Sequence, residues 1–167
     1  KCKDHGVIRR NLKNLYRVKK APSDTCMRER LDSLLPSNFR GAFKKIFALL
    51  QRGKMLVRFL YFGKYYLISV DGTGQFSSHK IHCENCCEKH HRSGEITYYH
   101  QMLGAAIVHP DEKAVIPLAP EPIVKGDGST KNDCERNAAK RLLKDFRREH
   151  PHLKAIILED ALASNYP

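Results

Sequence analysis

The chain contains no tryptophan and only three methionines, and aromatic residues make up 8% of its 167 positions. Acidic residues are scarce beside basic ones, 18 Asp+Glu against 30 Lys+Arg. No apolar run reaches the ~18 residues that a membrane-spanning helix requires. No apolar N-terminal segment ends in a small-residue cleavage site, so no secretory leader is expected. Internal repeats and low-complexity tracts are also missing, which argues against a solenoid or a disordered tail. What is there is ordinary globular stock: 41% hydrophobic and 29% charged residues. The sequence opens at Lys1 rather than Met and stops after Pro167, and it reads as part of a longer protein.

The positive charge is unevenly spread. Residues 1–70 hold 17 Lys+Arg against 4 Asp+Glu, a net of +13, whereas residues 71–167 hold 13 against 14, a net of −1. Together these make the formal +12 of the whole chain. A basic front and a neutral back suggest an arm that grips a polyanion joined to a body with another task. Nucleic acid fits that arm better than a membrane surface, because no helix combines a bulky apolar face with a lysine-rich polar one.

Six cysteines are present, at 2, 26, 83, 86, 87 and 134. The lysine-rich composition and the clustering of three thiols fit a reducing compartment better than a disulfide-stapled secreted domain. Cys83 and Cys86 have the C-x-x-C spacing that lets two thiolates share one Zn²⁺, and His90 or His91 could complete a tetrahedron with Cys87 or His82. A cluster of exposed thiols and histidines on a polar loop is the plain alternative.

Periodicity gives the element order. Ser23, Asp24 and Thr25 offer N-cap oxygens for a helix that reaches about Leu35, ended by Pro36. Asn38 is expected to cap a second helix in which Phe39, Phe43, Ile46, Phe47 and Leu50 share a face, closed by Gly53. Residues 54–62 are ambiguous. Tyr65–Val70 reads as a strand ending at Asp71-Gly72-Thr73-Gly74, and 77–94 as a Cys/His-rich loop or insertion. Further strands are expected at Ile96–Val108 and Ala114–Leu118. A long helix then carries Ala138, Ala139, Leu142, Leu143 and Phe146 on one face and must stop before Pro151. The run at Leu153–Leu158 looks like a buried parallel strand and ends in Glu159-Asp160. The fold class is therefore α/β, a β-β-β-α-β body behind a small basic helical region. The domains are 1–63, which contacts DNA, and 64–167, with its insertion at about 77–94.

This order has chemical consequences. A strand, a helix and a parallel strand make a right-handed crossover. If the strands before Asp71 and before Asp160 pair in parallel, the two carboxylates meet at neighbouring strand ends, ~4.8 Å apart. Hard carboxylate oxygens suit Mg²⁺ or Mn²⁺, and such ions activate a hydroxyl nucleophile and stabilise a phosphodiester's leaving oxygen. Taken singly, each aspartate reads equally well as a turn or cap residue.

Val70-Asp71-Gly72-Thr73, Lys131-Asn132-Asp133-Cys134-Glu135-Arg136 and Leu158-Glu159-Asp160-Ala161-Leu162, in this order and spacing, resemble DDE-type transposases of bacterial insertion sequences. Pro22-Ser23-Asp24-Thr25 and the stretch Arg28–Leu31 add to the likeness, which spans about residues 20–167. It implies the front half of an RNase H-like catalytic domain. Asp71 and Asp160 would be the first two catalytic aspartates and the Mg²⁺ or Mn²⁺ ligands. RNase H itself carries an active-site glutamate on a helix at this point of the topology, which makes Glu135 a candidate auxiliary ligand, although a first-turn acid favoured by the helix dipole is the preferred reading. The family's third acidic residue would lie beyond Pro167, so the chain alone is expected to be poorly active. The resemblance further implies Mg²⁺-dependent cleavage and strand transfer, double-stranded DNA (transposon ends and target) as partner, self-association in the DNA complex, no membrane, and a cytoplasmic location on the bacterial nucleoid.

Two other readings use the same residues: a non-catalytic, zinc-stapled nucleic-acid-binding module, and a nuclease of the same fold. A sugar-kinase-like phosphotransferase would leave the basic front half unexplained, and its second glycine-rich phosphate loop is not found.

The charge asymmetry predicts salt-sensitive binding to duplex DNA. With six or so phosphates neutralised, affinity should drop about 1000-fold between roughly 50 and 200 mM salt. A dissociation constant that stays level across a salt titration would remove the basic-arm reading.

Overall fold

A computed structural model describes residues 5–128 and 131–159 of the chain. The chain divides into two compact units, Lys1–Asn38 and Phe39–Pro167. Residues 39–63, expected from charge to belong to the DNA-contacting region, therefore go with the sheet. Phe47, Leu56 and Phe59 are buried in the same core as strand residues Ile68 and Ile107.

The first unit contains helices α1 (His5–Tyr16) and α2 (Asp24–Asp32). Ser23 caps α2 as its sequence position suggests: its hydroxyl accepts from the Cys26 amide at 3.2 Å. The helix is shorter than expected, ending at Asp32, and buries no residue.

The second unit is mixed α/β around a mostly antiparallel open sheet. Helix α3 (Arg40–Arg52) begins after a 3₁₀ turn at Pro36–Phe39. Asn38 does not cap it: its side-chain oxygen accepts from the Leu35 amide at 2.7 Å. The apolar stripe of α3 is also narrower than its sequence suggests. Phe47 is buried and Phe43 and Leu50 are half-buried, while Phe39 and Ile46 are exposed. Gly53 closes the helix, its amide donating a hydrogen bond to the Leu49 carbonyl, but the left-handed residue is Lys54. The ambiguous stretch that follows is a 3₁₀ turn (Met55–Phe59) and strand β1 (Leu60–Tyr61).

Strand β2 (Tyr65–Ser78) is twice the expected length. It pairs antiparallel with β4 (Ile96–His109) and, over Tyr66–Ser69, in parallel with β7 (Ala155–Leu158). Strand β3 (Cys87–His90) pairs with the start of β4, so the Cys/His-rich segment is half of a hairpin rather than only a loop. Strands β5 (Glu112–Pro117) and β6 (Glu121–Ile123) also pair with β4. The order across the sheet is thus β5, β4, β2, β7, with β7 alone parallel to its neighbour.

Helix α4 (Lys131–Glu149) joins β6 to β7 and ends before Pro151. Its buried residues Cys134, Ala138, Leu142 and Phe146 recur every four positions and pack against Ile68, Val70, Leu103 and Ile107 of β2 and β4. Strand β7 is covered on one face only. Ala155 and Ile157 pack against the core, whereas Ile156 and Leu158 are exposed, so its continuous apolar run does not signal burial on both sides.

A chain of ion pairs ties α3 and α4 to β6. Arg40 of α3 reaches Glu149 (2.8 Å), Asp145 (3.2 Å) and Glu121 (3.5 Å). Arg141 of α4 binds Glu121 (2.7 Å), the Pro122 carbonyl (2.9 Å) and both carboxylate oxygens of Asp127. Asp127 is buried, and it also accepts from the Val124 amide at 2.8 Å. The Arg141 guanidinium, then that amide, hold its carboxyl below the usual carboxylate range against the cost of desolvation. His150, against Phe47 and Phe146 at ring separations of 4.2 and 5.3 Å, is pushed below the usual imidazole range by burial.

Both shifts are downward, so both contribute stability that is complete above the unfolded-state pKa and lost on acidification: from about pH 6.5 for His150 and from about pH 4 for Asp127. Asp127→Asn should cost about 2 kcal/mol in urea unfolding at neutral pH, and the gap to the native chain should shrink below pH ~4. A gap unchanged by pH would show that the carboxylate charge is not what stabilises the loop.

Candidate functional site

Two clusters of chemistry-bearing side chains lie along β2 and β4. The first centres on Asp71. The sequence Asp-Gly-Thr-Gly reads locally as a turn, yet β2 runs through it, with Asp71 opposite Gly104 and Gly72 opposite Leu103. Asp71 is therefore a mid-strand residue and not a strand-end or turn residue. Pairing along β4 overrides the low strand propensity of Asp and Gly.

Strand alternation assigns the faces. Ile68 and Val70 point to the core beneath α4 and Gly72 follows them, while Leu67, Ser69 and the exposed Asp71 take the other face. Glu135, in the first turns of α4, lies over Gly72. A Cβ placed on Gly72 would lie 2.6 Å from Glu135 Oε1 and 3.1 Å from its Cδ. The glycine thus makes room for a carboxylate one residue along from Asp71. Among the described residues, the β2 edge that faces β7 is paired only as far as Ser69↔Leu158. Asp160 lies outside the described residues.

The second cluster is sulfur and nitrogen. Cys83 Sγ and Cys86 Sγ are 3.7 Å apart, and each lies 3.3 Å from His100 Nε2. These three atoms form the one group of three or more His, Cys, Asp or Glu ligands found close enough for a metal among the described residues. Cys86 is buried, Cys83 exposed and His100 half-buried. The cluster could hold a metal such as zinc.

The other candidates from the Cys/His segment are not part of this group. Cys87 is buried and faces the opposite way, its Sγ on the Ile123 carbonyl at 3.8 Å. Burial, then the nearby Cys134, Asp127 and Cys86, push its thiol above the ordinary range. His90 is exposed and meets Glu88 at 3.3 Å. His91 and His79 share the Thr97 hydroxyl at 2.8 and 3.4 Å, and His82 stacks on Tyr98 at 4.3 Å.

His100 reads from the sequence as a packing residue of a strand. The missing signal was the β3–β4 register: the ladder starts at Cys87 opposite Tyr99, and the residues just beyond that pair are Cys86 and His100.

Comparison with protein-family models, curated proteins and solved structures gives no match for the chain.

The contact between Gly72 and Glu135 predicts a measurable coupling. Gly72→Ala must displace the flexible end of Glu135, whereas beside Glu135→Ala that obstruction is gone and the alanine stiffens the unfolded chain. In a double-mutant cycle, Gly72→Ala should therefore be more favourable by about 0.5–1 kcal/mol in the Glu135→Ala background. Strict additivity in urea unfolding would mean that the carboxylate does not lie over Gly72.

Proposed function

We propose that this chain carries the first carboxylates of a metal-dependent polynucleotidyl transferase of the transposase type, on an RNase H-like sheet. The strand order is the observation that carries the reading. Three antiparallel strands (β2, β4, β5), a helix and a strand parallel to the first are what such a domain needs at its front, and the parallel register runs Ser69↔Leu158. Asp71 and Asp160 each stand two residues further along the chain from that pair.

The Glu135 carboxylate at Gly72 supports the same reading. Glu135 lies over Gly72, the residue next along the strand from Asp71, and hard carboxylate oxygens are what Mg²⁺ or Mn²⁺ takes. Asp71, Asp160 and Glu135 would hold the ion, which when bound supplies an activated oxygen nucleophile and stabilises the leaving oxygen. This chain's own part is to fix the carboxylates on a rigid strand and helix and to hold the polyanion. The excess of basic residues in both units supports duplex DNA as the substrate: 10 Lys+Arg against 4 Asp+Glu in residues 1–38, and 20 against 14 in 39–167. Among the described residues, no helix is long and apolar enough to cross a membrane.

Titrating Mn²⁺ into the chain and into Asp71→Asn, Asp160→Asn and Glu135→Gln tests this reading. Each substitution should weaken the ion about 10-fold or more, with duplex-DNA affinity unchanged within about 2-fold. Native Mn²⁺ affinity in both aspartate variants overturns the shared carboxylate site. Metal-dependent cutting of duplex DNA with no strand joining would favour a nuclease of the same fold.

A further inference from the structure

We infer that Cys83, Cys86 and His100 form a zinc site, separate from the carboxylates, that clamps the segment between β2 and β3 onto β4. Three observations carry it.

The first is geometry. For tetrahedral Zn²⁺ with Zn–S about 2.3 Å and Zn–N about 2.0 Å, ligand atoms stand about 3.8 Å apart for S···S and about 3.5 Å for S···N. The observed separations are 3.7 Å and twice 3.3 Å. A single ion fits between the three atoms with shifts of a few tenths of an ångström.

The second is how the ligands are held. His100 sits on a long, paired strand, opposite Phe76 in β2, with the two rings 6.1 Å apart. Cys83 and Cys86 sit on a tight turn closed by the Cys86 amide donating to the Cys83 carbonyl at 3.2 Å. The Cys83 amide donates to Cys86 Sγ at 3.3 Å, which orients that sulfur. Two ligands on a turn and one on a strand give the site a preformed shape.

The third is the ligand set. Two thiolates and an imidazole select a soft or borderline cation and not Mg²⁺. Phe76, opposite His100, is five residues beyond Asp71, or about 16 Å along an extended strand. The sulfur–nitrogen site and the carboxylates therefore take different ions for different tasks.

On binding, each thiol loses its proton to solvent and His100 coordinates as the neutral imidazole through Nε2. Among the described residues no fourth Cys, His, Asp or Glu joins the group. The ion links residues 83–86 to β4 and so anchors the connection from Ser78 to Cys87.

The test uses the whole chain purified without chelator. Elemental analysis should find one zinc per chain, and Co²⁺ exchange should give the thiolate charge-transfer and tetrahedral ligand-field bands. His100→Ala and Cys83→Ser should weaken zinc by about 100-fold or more, while Cys26→Ser and His90→Ala should not change it. Trypsin provides a second readout on the native chain, one that does not depend on the folding of a ligand variant. Chelation should speed cutting at Lys80 and leave Lys44 and Lys45 in α3 unaffected. Zinc that survives His100→Ala at native affinity, a Cys83–Cys86 disulfide in place of metal, or equal cutting at Lys80 with and without chelator would each overturn the assignment. Mn²⁺ binding by the carboxylates is read separately, so either site can fail without the other.

Discussion

Strand β2 is held along both edges, by β4 over almost its whole length and by β7 over Tyr66–Ser69. The rest of the second unit depends on that double pairing. It buries Ile68 and Val70 beneath α4, and it carries the backbone straight through Asp-Gly-Thr-Gly, where local preference favours a turn. Its reach to Ser78 gives β4 a partner as far as Tyr98. Unpaired, the amides and carbonyls of such a strand would lie against an apolar helix without hydrogen bonds, which is costly. The antiparallel ladder removes that cost and, with it, the freedom of Asp71 to move.

The helix that covers β2 is fixed in turn by charge. Arg40 and Arg141 collect Glu121, Asp127, Asp145 and Glu149 into one network in which α3, α4, β6 and the loop after β6 all take part. Exposed pairs of this kind contribute little. Here Asp127 is buried and Arg40 largely so, and the geometry is shared among several partners. The network sets the position of α4 along the sheet, and so sets which α4 residue lies over Gly72. That residue is Glu135.

Much of the fold was legible in single segments. The four-residue recurrence of Ala138, Leu142 and Phe146, the stop before Pro151, the Ser23 cap and the extent of β4 all follow from local pattern. Errors gathered where neighbours far away in the chain decide the outcome. Asn38 found a nearer amide at Leu35 than the helix start it was expected to cap. The apolar run of β7 proved half-exposed because only one of its faces meets a helix. Strands β3 and β6 are too short, and Cys/His-rich or proline-bearing, to announce themselves without β4 beside them. Of the candidate site residues, Glu135 comes to lie over Gly72, while Asp71 takes the other face of β2. Cys83 and Cys86 come together with His100, and Cys87 and His90 are directed elsewhere.

By itself the sequence determined the alternation of basic front and neutral back, the positions of the principal helices and strands, and the residue types able to bind a metal. These are properties of one short window or of a simple count, and side-chain periodicity writes them directly along the chain. Only the tertiary structure decided that Asp71 is mid-strand, that a glutamate more than sixty residues away covers Gly72, and that a strand histidine completes the pair of thiols. Each of those depends on register between distant segments. Register is set by the summed burial and hydrogen bonding of whole paired strands, a quantity that no local stretch contains.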